Sequence, residues 1–244
     1  MRQNLNGPWV DGPTELIQHA VDHLDAGGDF DRRIAMVSID NAVELAIKTY
    51  LGLPERIRGS KGPSRKEFAE CSESFPLLLD LLQKYSSDRI VDFSLEDIEW
   101  YHRIRNQLYH SGNGITVELS KVETYLELGI ILFKNLFGTN PSITKGYVLN
   151  SKIGQFLQLW NAFEDELRGK LPPKQGPAYY QRMDYLYSLN REAGESWKSL
   201  VMFRSELVFG LSEIGSKEIE ANIAELKRLS EMVKKLPNDD STST

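Results

Sequence analysis

Residues 94–114 read SLEDIEWYHRIRNQLYHSGNG, and this stretch decides the fold class. Ser94-x-x-Asp97 has the form of a capping-box-like helix start, an acidic residue three positions after a serine. From there residues advance ~100° each, so Tyr101, Ile104 and Leu108 fall on one apolar strip that faces a core. His102, Asn106 and Tyr109 collect on a different face, with Arg105 beside His102 and Tyr109 and with His110 one turn beyond Asn106. Ser111 to Gly114 then stops the helix with turn-forming residues. The stretch is an amphipathic helix whose second face carries two imidazoles, a guanidinium, an amide and a phenol.

Helical spacing recurs on both sides of it, and no run of alternating β-branched residues bounded by turns interrupts the pattern. The sequence predicts an all-α fold. Upstream, helices are expected over Thr14 to Asp25, stopped by Gly27-Gly28, then over Asp31 to Leu51, Arg65 to Glu73 and Pro76 to Tyr85. Gly52 to Ser64, with Pro54, Gly59, Gly62 and Pro63, reads as a loop that carries Arg56, Arg58 and Lys61. Downstream, Ser120-x-x-Glu123 predicts the start of a helix that ends at Phe137-Gly138. Thr139 to Asn150 breaks the periodicity, and four more helices follow near Ser151 to Leu171, Ala178 to Glu192, Ser196 to Phe209 and Ser216 to Leu236. The expected organisation is one bundle over residues 1–138, a second over 139–236 and a polar, disordered tail over 237–244.

With 244 residues, 41% of them hydrophobic and 26% charged, the chain has the composition of a globular protein large enough for two modest cores. A net charge of -6 argues against nonspecific coating of nucleic acid, which relies on Lys and Arg displacing counterions. Any nucleic-acid contact must be local, and Arg56, Arg58 and Lys61 form the one dense basic patch. Met1 to Gly12 lacks the basic and apolar regions of a secretory signal, and Ile130 to Phe133 is far too short to span a bilayer. The single cysteine, Cys71, fits a reducing compartment. A cytoplasmic location without membrane association is therefore expected. His19 and His23 lie one turn apart, but no further ligand completes a metal site and no phosphate-cradling glycine loop is present, so no metal or cofactor is expected.

Cleaving an RNA backbone without metal needs a base for the 2′-hydroxyl, an acid for the leaving oxygen and cationic donors for the phosphorus centre. Histidine suits the proton transfers because it titrates near neutrality, and arginine suits the phosphate because its planar fork matches the oxygens. Arg105 and His110 are of the required types. On an ideal helix five residues separate two side chains by about 140°, so these two share one face only if the helix ends or distorts between them. A competing reading has both cations satisfy helix-terminal carbonyls.

The segment Arg105-Asn106-Gln107-Leu108-Tyr109-His110 resembles the Arg-x(4–6)-His signature of HEPN domains, helical bundles of toxin-antitoxin, CRISPR-linked and antiphage systems. The resemblance includes the polar residue after the Arg. Asp40-Asn41-Ala42-Val43-Glu44-Leu45 resembles the helix that packs beside the motif, so the likeness covers about Thr14 to Gly138. It implies a metal-independent endoribonuclease in which Arg105 stabilises the transition state, His110 is the acid/base and Asn106 orients them. His102 and Tyr109 are neighbours expected to contact substrate. The implied partners are RNA, a second HEPN unit from the same chain or a homodimer, and an antitoxin or defence-system protein. Toxins silenced by modification of a tyrosine read Arg-x(4)-His-x-Tyr; this chain departs from that pattern with Gly112. A non-catalytic HEPN-like interaction or regulatory module is the alternative.

The second half carries Arg204-Ser205-Glu206-Leu207-Val208-Phe209, with Phe209 at the spacing of His110 and with Leu200, Phe203 and Leu207 matching the strip of Tyr101, Ile104 and Leu108. Asn161-Ala162-Phe163-Glu164 echoes Asn41-Ala42-Val43-Glu44. This reads as a degenerate HEPN-like half that keeps the packing and has lost the acid/base, with Phe209 buried and Arg204 added to a composite cleft.

Overall fold

The computed structural model describes residues 4–90, 93–110, 116–143, 152–171, 178–210 and 214–235, the side chains at 110 and 178–180 excepted. Among them there are eleven α-helices and no strand. The chain divides into two compact units, Met1–Ser151 and Lys152–Thr244. Of the expected junction, Thr139 to Asn150, only 139–143 are described, and the tail 237–244 lies outside the described residues.

In the first unit, α1 (Asp11–Ala26) and α2 (Asp29–Gly52) form a helical hairpin. Gly27, at φ 78°, makes the turn, a left-handed conformation that glycine enters without a Cβ penalty. His19 and His23 face α2 across this hairpin, where Ser38 Oγ lies 2.9 Å from one imidazole and Asp31 Oδ1 2.8 Å from the other. The short α3 (Glu55–Arg58) and α4 (Arg65–Cys71) lead to α5 (Phe75–Ser86), α6 (Leu95–His110) and α7 (Leu119–Phe137). Helix α2 is the centre of the unit and packs on α1, α5, α6 and α7. Its crossing with α7 is close because Gly129 has no side chain; a Cβ there would lie 3.3 Å from Val43 Cγ2. Fourteen residues of α7 are buried, Tyr125, Leu126, Leu132 and Phe137 among them, so α7 is an all-round core helix.

Helix starts are set by local chemistry. Ser64 Oγ accepts from Glu67 N at 3.1 Å and caps α4. Ser94 does the same for α6, but its partner is Glu96 N at 3.2 Å, two residues on, while Asp97 is buried. Ser120 is not the cap of α7: the helix begins at Leu119 and the cap position is Glu118, in extended conformation. The strip of α6 also needs correction. Tyr101 is fully buried, whereas Ile104 and Leu108 are half-buried and line a cleft with Trp100, Val117 and Lys121. The helix buries the first half of its length, through Asp97, Ile98 and Tyr101.

The second unit comprises α8 (Lys152–Lys170), α9 (Ala178–Leu189), α10 (Arg191–Phe209) and α11 (Ser216–Lys234). Helix α8 packs on α11, and α10 packs on α9 and α11. Asn190 caps α10 by accepting from Ala193 N at 2.8 Å, so the helix starts one turn before Ser196. The core is a ring cluster: Trp160 stacks on Trp197 with centroids 4.5 Å apart, Phe163 meets Trp197 edge-on at 5.6 Å, and Phe156 meets Phe203 edge-on at 5.0 Å. Leu200, Phe203 and Leu207 are all buried here. Phe209 is not: it is half-buried, and the fully buried position in that turn is Val208, one residue earlier.

Candidate functional site

Three helices of the first unit, α2, α6 and α7, meet at one carboxylate. Asp40, on α2, is fully buried, and burying a carboxylate is costly unless donors replace its water. Three side chains do so. The Tyr125 hydroxyl, from α7, donates to Oδ1 at 2.8 Å. His102 Nδ1, from α6, faces both oxygens at 3.1 and 3.0 Å. Arg105 Nε lies 3.2 Å from Oδ2, off the line a hydrogen bond needs, so that contact is an ion pair rather than a directed bond.

The Arg105 guanidinium is held at its other nitrogens too. Nη2 donates to Asn41 Oδ1 at 2.8 Å and Nη1 donates to Asn106 Oδ1 at 2.9 Å. Its carbon lies 5.9 Å from the centre of the Tyr109 ring, within cation–π reach. Tyr109 itself is 70% exposed. The arginine side chain keeps 22% of its surface open, so a planar cation is fixed in orientation at the edge of the unit.

His102 is fixed as well. Its ring lies parallel to Phe75, at the start of α5, with centroids 3.9 Å apart and planes 10° from parallel. Because an ionised carboxylate only accepts, Nδ1 carries the proton. Tyr101 stacks on Tyr125 at 4.5 Å on the inner side. Burial and the adjacent Asp40 push the Tyr125 hydroxyl well above its usual range, so it remains a donor.

The structure therefore brings together Arg105, Asn106, His102 and Tyr109 from the expected site. It adds Asp40 and Asn41, adjacent residues that the local pattern placed only on a neighbouring helix. The backbone of His110 ends α6, and its side chain lies outside the described residues. Arg204 belongs to the second unit, where its guanidinium carbon sits 5.8 Å from the centre of the Trp160 ring.

The basic loop divides. Arg56 and Lys61 are exposed. Arg58 is not part of a surface patch: it is buried and donates through Nη1 to Leu51 O at 2.9 Å and through Nη2 to Ser60 O at 3.2 Å. It closes the C-terminal end of α2, where carbonyls lack helical partners. Gly62 makes room for it, since a Cβ there would fall 1.5 Å from Arg58 Nη2. The sequence signal for this role is the return of the chain to the end of α2 through the left-handed Gly59.

Among the described residues no helix is long and apolar enough to cross a membrane, and no group of three or more His, Cys, Asp or Glu is placed to hold a metal ion. Comparison with family models, with curated proteins and with solved structures finds no match to this chain.

Proposed function

We propose that the chain is a HEPN-type, metal-independent endoribonuclease of a bacterial toxin or antiphage defence system. The observation that carries the reading is the fixing of Arg105, five residues before the end of α6, by Asp40, Asn41 and Asn106. A guanidinium oriented in advance stabilises charge developing on a phosphate without reorganising during the reaction. Arg105 takes that role, Asn106 orients it, and His110 is the acid/base that the resemblance assigns. Arg56 and Lys61 form the electrostatic rim for RNA, and a second copy of the chain or a defence-system protein is the implied protein partner.

The test is incubation of single-stranded RNA with the purified chain in EDTA. Cutting that disappears in Arg105→Ala and in His110→Ala supports the reading; cutting that requires Mg²⁺, or survives both substitutions, removes it. One observation favours the alternative of a non-catalytic module: each Nη of Arg105 already has an amide oxygen as partner. Under that alternative the wild-type chain leaves RNA intact.

A further inference from the structure

Asp40 takes a directed hydrogen bond from Tyr125 at Oδ1 and an ion pair from Arg105 at Oδ2, and the imidazole of His102 is the donor that reaches both oxygens. Its Nδ1 is committed to Asp40, and its plane is set by Phe75. That leaves Nε2 as the ring atom with a lone pair, and no described residue donates to it. The side chain retains 14% of its surface. His102 and Arg105 are anchored to one atom, Asp40 Oδ2, at 3.0 and 3.2 Å.

We propose that His102, held by Asp40, is a second proton-transfer residue of the Arg105 site and is the base that takes the proton of the RNA 2′-hydroxyl. This rests on the ribonuclease reading and divides the acid/base role that reading gives to His110, leaving His110 as the acid. In the step, the 2′-oxygen lone pair forms a bond to phosphorus while its proton passes to His102 Nε2. The bond from phosphorus to the 5′-oxygen breaks with its electron pair on that oxygen, which receives a proton from His110. The products are a 2′,3′-cyclic phosphate and a 5′-hydroxyl. Asp40 stabilises the imidazolium as it forms and keeps the required tautomer. Among the described residues, Asp40 on α2, Arg105 on α6 itself and Tyr125 on α7 are the charged or titratable groups around the ring, and Phe75 on α5 covers one face.

Both members of the pair change together in the second half. In the register that aligns Arg105 with Arg204 and Asn41 with Asn161, Val201 takes the place of His102 and Trp160 that of Asp40.

The experiment measures single-turnover cleavage of random-sequence single-stranded RNA in EDTA from acid to alkaline pH, for the wild type, His102→Asn, Arg105→Ala and His110→Ala. The amide nitrogen of Asn stands near the position of Nδ1 and donates to Asp40, so the thermal unfolding of His102→Asn should match the wild type. Its rate should fall by about 10²–10⁴, and the rise of rate with pH on the acid side should vanish. Wild-type rate and pH profile in His102→Asn, with Arg105→Ala inactive, would overturn the role of His102 and leave the ribonuclease reading standing. No cutting by the wild type at any pH would overturn both. If His102→Asn unfolds, nitrogen NMR of the wild type decides: a neutral His102 with its proton on Nδ1 supports the proposal, and a proton on Nε2 refutes it.

Discussion

The two units build their centres in opposite ways. Around Asp40 the first collects charge and hydrogen bonds: a buried carboxylate, an imidazole, a guanidinium and a phenol. Around Trp160 the second collects rings, and the Arg204 guanidinium lies over the indole. An aromatic cluster gains from apolar area and ring geometry, although the Trp197 indole nitrogen is buried there without a hydrogen-bond partner among the described residues. A buried ion pair meets a desolvation penalty and repays it only while every partner is present. The first unit thus holds a cell of polar groups that is stable only as a set, whereas the second is held by apolar packing.

The comparison breaks most sharply at Trp197. Trp197→Ala removes the ring between Trp160 and Phe163 and should destabilise the second unit by about 3–5 kcal/mol through lost packing and a cavity. Urea unfolding followed by aromatic fluorescence measures it, and a loss below about 1 kcal/mol would mean that the rings do not hold that unit together. Asp40→Asn, which keeps an acceptor for Tyr125 but removes the charge opposite Arg105, should cost about 1.5–3 kcal/mol. If Asp40→Asn proves neutral, the polar cell is not a coupled unit.

Tyr125 sharpens the contrast through pH. The folded state raises its pKa, so its contribution to stability is complete below the ordinary phenol value of about 10 and is lost as pH rises from there through the folded value. Tyr125→Phe should lose about 0.5–1.5 kcal/mol near neutrality and should weaken the alkaline decline. Thermal unfolding at neutral and alkaline pH shows whether that decline depends on this hydroxyl. The smallest effect belongs to the rim: replacing Arg56 and Lys61 with alanine should reduce the salt slope of single-stranded RNA binding by about 1.4, or 0.7 for each phosphate left without its cation. An unchanged slope would leave both as solvated surface charges.

Much of the fold is legible in the sequence because breakers and caps are local. The helix expected from Ser94 to His110 is α6, Leu95–His110, and Gly138 ends α7 in the left-handed conformation that its sequence signals. The cap of α10 is equally local, in Asn190, although apolar periodicity alone places the start one turn later, at Ser196. The site is legible only in part. Arg105, Asn106 and His102 share one helix and therefore one periodicity, whereas the bond from His102 to Asp40 spans 62 residues, a separation that no helical pattern encodes. Arg58 escapes the sequence pattern for a related reason: a basic residue in a Gly/Pro-rich segment looks solvated until the end of α2 is known to need a donor.

The most direct test of the central claim, that the Arg105 cell performs 2′-hydroxyl chemistry, is mass analysis of the products formed in EDTA from an RNA and from its all-deoxy counterpart. The account predicts 2′,3′-cyclic phosphate and 5′-hydroxyl ends from the RNA and an intact deoxy strand. Cutting of the deoxy strand, or 5′-phosphate ends from the RNA, would contradict it.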